Sequence, residues 1–238
     1  MRPVRKAFLL AAGLGTRLRP LTDTTPKCLV PVRGRPLCDY WFALCAAHGI
    51  EEILMNTHHL ADQVRDYVDG VRRDVRIRLA HEQTLQGSAG TIRENADFVA
   101  DEDAFLVIYA DNLSNADLSA LIAFHRAHPG PFTMGLFHTK HPTQCGIATL
   151  APDGRITAFT EKPERPTSDL ANAGIYVADR ATIADIPRDK PVTDYGHDVL
   201  PGYVGRMYGF PLECYHLDVG TPESYAEAEA TCPDDIPA

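Results

Sequence analysis

With 238 residues, 45% of them hydrophobic, the chain can bury a sizeable core as one large domain or two closely fused lobes. Its 32 acidic residues outweigh 23 lysines and arginines, and the net charge of −9 speaks against a nucleic acid partner, because phosphate backbones are held on basic surfaces. No apolar run approaches the roughly 18 residues of a membrane span, and the opening MRPVRKAFLL carries too short an apolar stretch for a secretory signal, so a cytoplasmic location with no membrane partner is expected.

Lys6–Leu10 reads as a buried strand that runs abruptly into Ala11-Ala12-Gly13-Leu14-Gly15-Thr16. Small residues let backbone N–H groups approach an anion. Gly13 and Gly15 can take positive φ, which arranges successive amides into a nest for phosphate oxygens, and Thr16 adds a hydroxyl. Arg17 follows with a planar fork of donors, and Lys27, beyond a proline-rich turn, adds a compact charge, so the pair can neutralise a triphosphate from two directions. Through residue 35, Arg2, Arg5, Lys6, Arg17, Arg19, Lys27, Arg33 and Arg35 stand against Asp23 as the single acid, as a local site for a small polyanion requires. The loop is not a Walker motif, since no Gly-Lys-Ser/Thr follows. Nor is it the dinucleotide fingerprint, because Arg17 and Leu18 stand where that wants its third glycine.

Residues 37–48 carry apolar side chains at helical spacing behind Pro36; residues 52–56 read as a second strand, 60–68 as a helix and 75–80 as a third strand. Strands alternating with helices predict a parallel sheet covered on both faces. His58 and His59, whose side chains diverge, are read as loop residues rather than metal ligands. Residues 82–92 (EQTLQGSAGTI) form a polar turn followed by small residues that open a helix, with Ser88 as its cap and room for a flat ring. Residues 105–109 are the strongest buried strand and deliver Asp111 at the C-terminal end, where ligands bind in open α/β sheets. A carboxylate there suits Mg²⁺, which takes one or two carboxylates together with phosphate oxygens and water.

Residues 118–128 follow as a helix with His125 and His128 on its surface. Strands over 132–138, 146–150 and 156–160 form a meander around the turn Pro152-Asp153-Gly154, and residues 194–204 read as a loop and short helix. A strand over 213–217 and a terminal helix over 222–231 complete the chain. Cys28, Cys38, Cys45, Cys145, Cys214 and Cys232 form no C-x-x-C pair, which argues against a zinc site or disulfide framework and makes most of them small buried hydrophobes.

The string LLAAGLGTRLRPLT at residues 9–22, completed by Pro26-Lys27-Cys28-Leu29-Val30-Pro31-Val32, resembles nearly residue for residue the N-terminal signature of the sugar-1-phosphate nucleotidyltransferases. Glu161-Lys162-Pro163, Asn172-Ala173-Gly174-Ile175-Tyr176 and Asp218-Val219-Gly220-Thr221-Pro222 are similar to further motifs of that family. Gly87-Ser88-Ala89-Gly90 resembles the G-T-A-G form of members using GTP with mannose-like sugars. Ala110 departs from the family's Gly-Asp but leaves Asp111 in register. His216 stands where the family often has Trp and is read as packing against the sugar pocket.

The resemblance implies an α/β fold: a Rossmann-like, mostly parallel sheet flanked by helices, with a smaller sugar-binding β portion. It implies one nucleotidyltransferase domain over residues 1–238, with the nucleotide-binding half ending about residue 115. Leu10, Ala11, Ala12, Gly13, Gly15 and Thr16 would bind the nucleotide, with Glu82, Gln83, Gly87 and Ser88 around the base. Asn112, Gly146, Glu161, Asn172 and Gly174 would meet the sugar. Arg17, Lys27, Asp111 and Lys162 would be catalytic, and Asp111 and Asp218 would share Mg²⁺. The implied reaction joins an NTP, GTP being favoured, to a mannose-like hexose or heptose 1-phosphate with release of pyrophosphate. UTP, CTP or ATP with another sugar stay open, as does a nucleotide-binding regulator without catalysis; a nicotinamide-dependent dehydrogenase lacks its glycines. A homodimer is compatible with this reading. No hexapeptide repeat is visible after Asp218, so acetyl transfer is not expected.

Overall fold

The computed structural model describes residues 2–237. The chain forms two compact units, neither continuous in sequence. The first gathers Arg5–Leu85, Ile108–Ala116 and Cys214–Ala238, and the second gathers Met1–Val4, Gln86–Val107 and Asp117–Glu213.

In the first unit the strands Lys6–Leu10, Glu52–Thr57 and Arg76–His81 run parallel, with Phe8 opposite Leu54 and Leu54 opposite Arg78. Phe8, Leu9, Leu54 and Met55 are fully buried, as expected of strands covered on both faces. The helix Leu37–Ala47 begins behind Pro36 and buries Leu37, Trp41, Phe42 and Leu44, while Ala61–Gly70 turns Val64 inward. Two short antiparallel ladders were not expected from the sequence. One pairs Pro31–Val32 with Arg35–Pro36, and the other pairs Asn112–Ser114 with His216–Asp218. The second ladder shortens the strand expected over 213–217 and shifts it towards Asp218. Around it Val32, Leu37, Tyr40, Leu113, Val219, Ala228, Cys232 and Ile236 form one apolar cluster, joining segments far apart in sequence.

The second unit supplies the added β portion. Leu170–Asp179 lies antiparallel to Phe132–His138, which takes Met207–Pro211, a strand the pattern did not show, in parallel. Gly146–Leu150 and Ile156–Glu161 form a hairpin around Gly154, whose φ of 82° requires glycine at the turn. The helix Leu118–Ala127 is capped by Asp117, whose carboxylate accepts from the Ala120 N–H. Contrary to expectation, His125 is buried. Its ring meets Thr133 Oγ1 at 2.8 Å and Asp179 Oδ1 at 3.2 Å, and His128, half-buried, bonds the same hydroxyl at 2.7 Å and stacks on Tyr208. Cys28, Cys38, Cys45 and Cys232 are buried, and Cys145 and Cys214 are partly so. Among the described residues no helix is long and apolar enough to cross a membrane.

Candidate active site

The loop after Lys6–Leu10 is held from behind by a side chain that no motif announced. Asn56, at the end of the adjacent strand, accepts from the Ala11 and Ala12 N–H groups at 2.6 and 3.3 Å, and its amide donates to Glu82 Oε1 at 2.9 Å. Both Asn56 and Glu82 are buried. The amides of Ala11 and Ala12, two of those expected to bind the nucleotide, are therefore committed to Asn56. Of the two glycines, Gly15 alone is left-handed, with φ of 64°, and a Cβ there would lie 2.8 Å from the Thr22 methyl. Gly13, contrary to expectation, does not take positive φ, and the space at its Cβ position is open. Thr22 Oγ1 and the Leu18 N–H both donate to the Gly15 carbonyl, closing the Thr16–Leu18 turn that presents Arg17.

Two ion pairs face this loop within the same unit. Lys27 Nζ donates to Asp111 Oδ2 at 2.8 Å, and Arg17 Nη2 lies 3.9 Å from Asp218 Oδ2. Backbone pairing brings the two aspartates together. Asp218 stands opposite Asn112 in the short ladder, and the Val219 N–H donates to the Asp111 carbonyl at 2.8 Å. Trp41 Nε1 anchors the Asn112 carbonyl at 2.7 Å. Gly220 leaves room for the second pair, since a Cβ there would lie 2.7 Å from Asp218 Oδ1 and 2.8 Å from Arg17 Nη2. Burial pushes the Asp111 carboxyl up, but the charge and hydrogen bond of Lys27, with help from Arg17, outweigh it and hold the group below its usual range. His216 stands opposite Ser114 in the ladder; burial pushes its imidazole down to about 4, against the pull of Asp111.

The remaining N-terminal basic residues have other uses. Arg5 pairs with Glu51, Lys6 with Glu52, Arg19 with Asp23 and Arg33 with Asp234. His58 and His59 bond the carbonyls of Glu82 and Thr22, in keeping with their loop reading, and Gln83 is exposed.

The Glu161-Lys162-Pro163 and Asn172–Tyr176 motifs, expected to meet the sugar, and the GSAG turn lie in the second unit. Gly87, not Ser88, is the helix cap: its φ is 80°, and a Cβ would lie 2.4 Å from the Thr193 carbonyl. That carbonyl accepts from the Ala89 and Gly90 N–H groups at 3.0 and 3.1 Å. Ser88 instead donates to Asp194 Oδ2 at 2.7 Å and accepts from the Tyr195 N–H at 2.8 Å. Gly146 faces Glu161 across the hairpin, and its missing Cβ makes room for the carboxylate, which would otherwise lie 2.6 Å away. Burial raises the Glu161 carboxyl; Asp194 adds to the rise, while Lys162 and His197 oppose it.

Lys162 leaves the strand at φ of 46°, in the left-handed region, with Nζ 4.0 Å from Glu161. The Asn-x-Gly-Ile-Tyr motif proves to be a β-bulge between Asn172 and Tyr176. Asn172 Oδ1 accepts from the Gly174 N–H at 3.0 Å and its amide donates to Tyr176 Oη at 2.6 Å, so this side chain shapes the bulge itself.

Residues 6–235 match the family described as nucleotidyl transferase. A mannose-1-phosphate guanylyltransferase of Mycobacterium tuberculosis is 33% identical over 229 residues, covering 94% of this chain and 63% of the relative. A UTP–glucose-1-phosphate uridylyltransferase of Synechocystis is 31% identical over 244 residues, covering 94% and 62%. The chain thus spans about 60% of the length of these curated relatives. A Bacillus anthracis protein assigned as a glucose-1-phosphate thymidylyltransferase, solved with sucrose, superposes at a TM-score of 0.84 with 26% identity, over 96% of this chain and 95% of that one. HddC from Yersinia pseudotuberculosis shares the fold at a TM-score of 0.82 with 22% identity, over 95% of this chain and 99% of its own. The glycine loop after Lys6–Leu10, both aspartates and the GSAG turn all lie inside the matched span, and the α/β fold is the one these neighbours share: the chain belongs to the nucleotidyl transferase family.

Proposed function

We propose that this chain transfers a nucleotidyl group from an NTP to a sugar 1-phosphate, releasing pyrophosphate, with GTP and a mannose-like sugar as the first choice. The observation that carries the reading is the interleaving of Lys27 and Arg17 with Asp111 and Asp218 beside the Gly13–Thr16 amides. Cations and carboxylates so placed can exchange each other for a polyphosphate and a divalent ion.

The acceptor is already an anionic nucleophile, so no general base is needed; the protein has to align it and offset charge. A phosphate oxygen of the sugar forms a bond to the α-phosphorus as the bridge to the β-phosphate breaks, and that electron pair leaves on pyrophosphate. Amides from Gly13 onward and Arg17 would grip the departing phosphates, Lys27 would offset their growing charge, and Lys162 would hold the acceptor phosphate. The donor set fits Mg²⁺. Asp111 and Asp218 are two carboxylates fixed by adjoining backbone, and phosphate and water complete such a shell, although among the described residues no cluster of three or more His, Cys, Asp or Glu is present. When bound there, the ion would neutralise phosphate charge.

The GSAG turn and the mycobacterial relative favour GTP with mannose 1-phosphate, while the cyanobacterial relative supports UTP with glucose 1-phosphate as the second reading. The cytoplasm, where nucleoside triphosphates are supplied, is the location this reading implies. Pyrophosphate release measured with four NTPs, each against mannose, glucose, N-acetylglucosamine and heptose 1-phosphates, tests it. One base with one sugar is expected to dominate, and nucleotide binding without release by any pair would leave a regulator instead.

A further inference from the structure

The turn assigned to the base and the carboxylate assigned to the sugar are joined by a strut that the reaction as described does not use. Five hydrogen bonds zip the Gln86–Gly90 segment to Thr193–Tyr195. Thr193 N–H donates to the Gln86 carbonyl at 2.8 Å, Ala89 and Gly90 donate to the Thr193 carbonyl, and Ser88 bonds both Asp194 and the Tyr195 N–H. Thr193 is fully buried, and Gly87 cannot gain a Cβ without striking its carbonyl. The Asp194 carboxylate uses its two oxygens in different directions. Oδ2 accepts from Ser88, and Oδ1 accepts from the His197 N–H at 3.2 Å, capping the turn Tyr195–Val199. Within that turn Gly196 lies directly against Glu161, where a Cβ would stand 2.9 Å from Glu161 Oε2 and 3.1 Å from Asp194 Oδ1.

We propose that Asp194 is a positioning residue that ties the Gly87–Ser88 turn to the Gly196 turn bordering Glu161, so that base and sugar phosphate are bound cooperatively. The proposal rests on the reading of these two segments as base-binding and sugar-binding. A base pressing on Gly87–Gly90 fixes Thr193–Tyr195 through the strut, and Gly196 with it, so the space beside Glu161 is set before the sugar arrives. Coupling of this kind is reciprocal: an occupied sugar site raises affinity for the nucleotide by the same factor. Asp194 touches neither ligand in this scheme. It acts through Ser88 on one side and through the Gly196 backbone on the other, and its negative charge also favours the protonated form of Glu161.

The test is pyrophosphate release by wild type, Ser88→Ala, Ser88→Thr, Asp194→Ala and the Ser88→Ala/Asp194→Ala double variant, with KM for nucleotide and for sugar 1-phosphate separated from kcat. Melting temperatures are recorded alongside. Ser88→Ala is expected to raise the KM for sugar 1-phosphate about tenfold, as loss of a hydrogen bond to a charged group would. Ser88→Thr, which keeps the hydroxyl, restores it, and the double variant is no worse than the poorer single one. An unchanged sugar-phosphate KM in Ser88→Ala, or single effects that simply add, overturns the coupling. If Asp194→Ala fails to fold, the Ser88 pair decides alone. An inert wild type across the substrate panel would instead remove the underlying reading, and the coupling with it, whereas an active wild type with additive variants removes only the coupling.

Discussion

In the proposed reaction Asp111 would carry two duties that pull in opposite directions. At rest its carboxylate accepts from Lys27, and in the proposed reaction it must leave that partner for a metal ion. An amide in its place keeps an acceptor for Lys27 but loses the charge. Asp111→Asn is therefore expected to lower turnover by roughly 10²–10³-fold while the far-ultraviolet circular dichroism spectrum stays native. Near-normal pyrophosphate release with Mg²⁺ present would refute the metal assignment. Chelation of divalent ions should silence the wild type to a similar extent, with activity returning on addition of Mg²⁺. At Gly15, φ of 64° and the nearby Thr22 and Lys27 side chains make Gly15→Ala costly by about 1–2 kcal/mol, read as a lower urea midpoint. The left-handed Gly15 and the closeness of Lys27 to the strand-end Asp111 were legible because the loop after Lys6–Leu10 is a long motif in which glycine and charge stand at fixed places. Asn56 was not: a single amide ending an apolar strand has no pattern, and its role appears only when the parallel pairing sets it beside Ala11.

The helix Leu118–Ala127 and the strand after it meet through a directed polar chain. The Gly130 N–H donates to His128 Nδ1 at 3.1 Å, which leaves the other ring nitrogen of neutral His128 as donor to Thr133 Oγ1. The Thr133 hydroxyl then donates to His125 Nδ1, and His125 Nε2 donates to Asp179. Burial pushes His128 down to about 4; His125 adds to the shift and Asp179 opposes it. A histidine that binds protons less readily folded than unfolded gives stability that is complete above its ordinary value of 6.5 and is lost as pH falls towards 4. The melting temperature of wild type should drop over that window, and His128→Phe should flatten the drop; parallel curves for the two would contradict the linkage. Thr133→Val, which strands both rings, should cost roughly 1–3 kcal/mol at neutral pH, measured by urea unfolding. The sequence showed this helix but placed both histidines at the surface, because periodicity treats histidine as polar and cannot see Thr133 and Asp179 satisfying the rings. The two-residue and three-residue ladders escaped for another reason: strands that short carry no alternation to detect.

Neither unit of the molecule is a contiguous piece of sequence. The expected division near residue 115 follows the motifs, whereas packing places residues 86–107 with the second unit and returns everything from Cys214 onward to the first. Val32, Leu37 and Tyr40 complete their cluster only with Leu113, Val219, Ala228 and Ile236. A fragment of residues 5–85 holds the whole glycine loop yet should show no cooperative thermal transition and bind no nucleotide; a folded, nucleotide-binding fragment would contradict the dependence of its core on Leu113, Val219, Ala228 and Ile236. The same cluster sets a schedule for the newborn chain. At roughly 5–20 residues per second, a ribosome needs about 10–40 s to pass from Leu37 to Ile236. Over that interval Val32, Leu37 and Tyr40 wait for the later segments that cover them, so this earlier-made part of the cluster is where a chaperone is expected to bind.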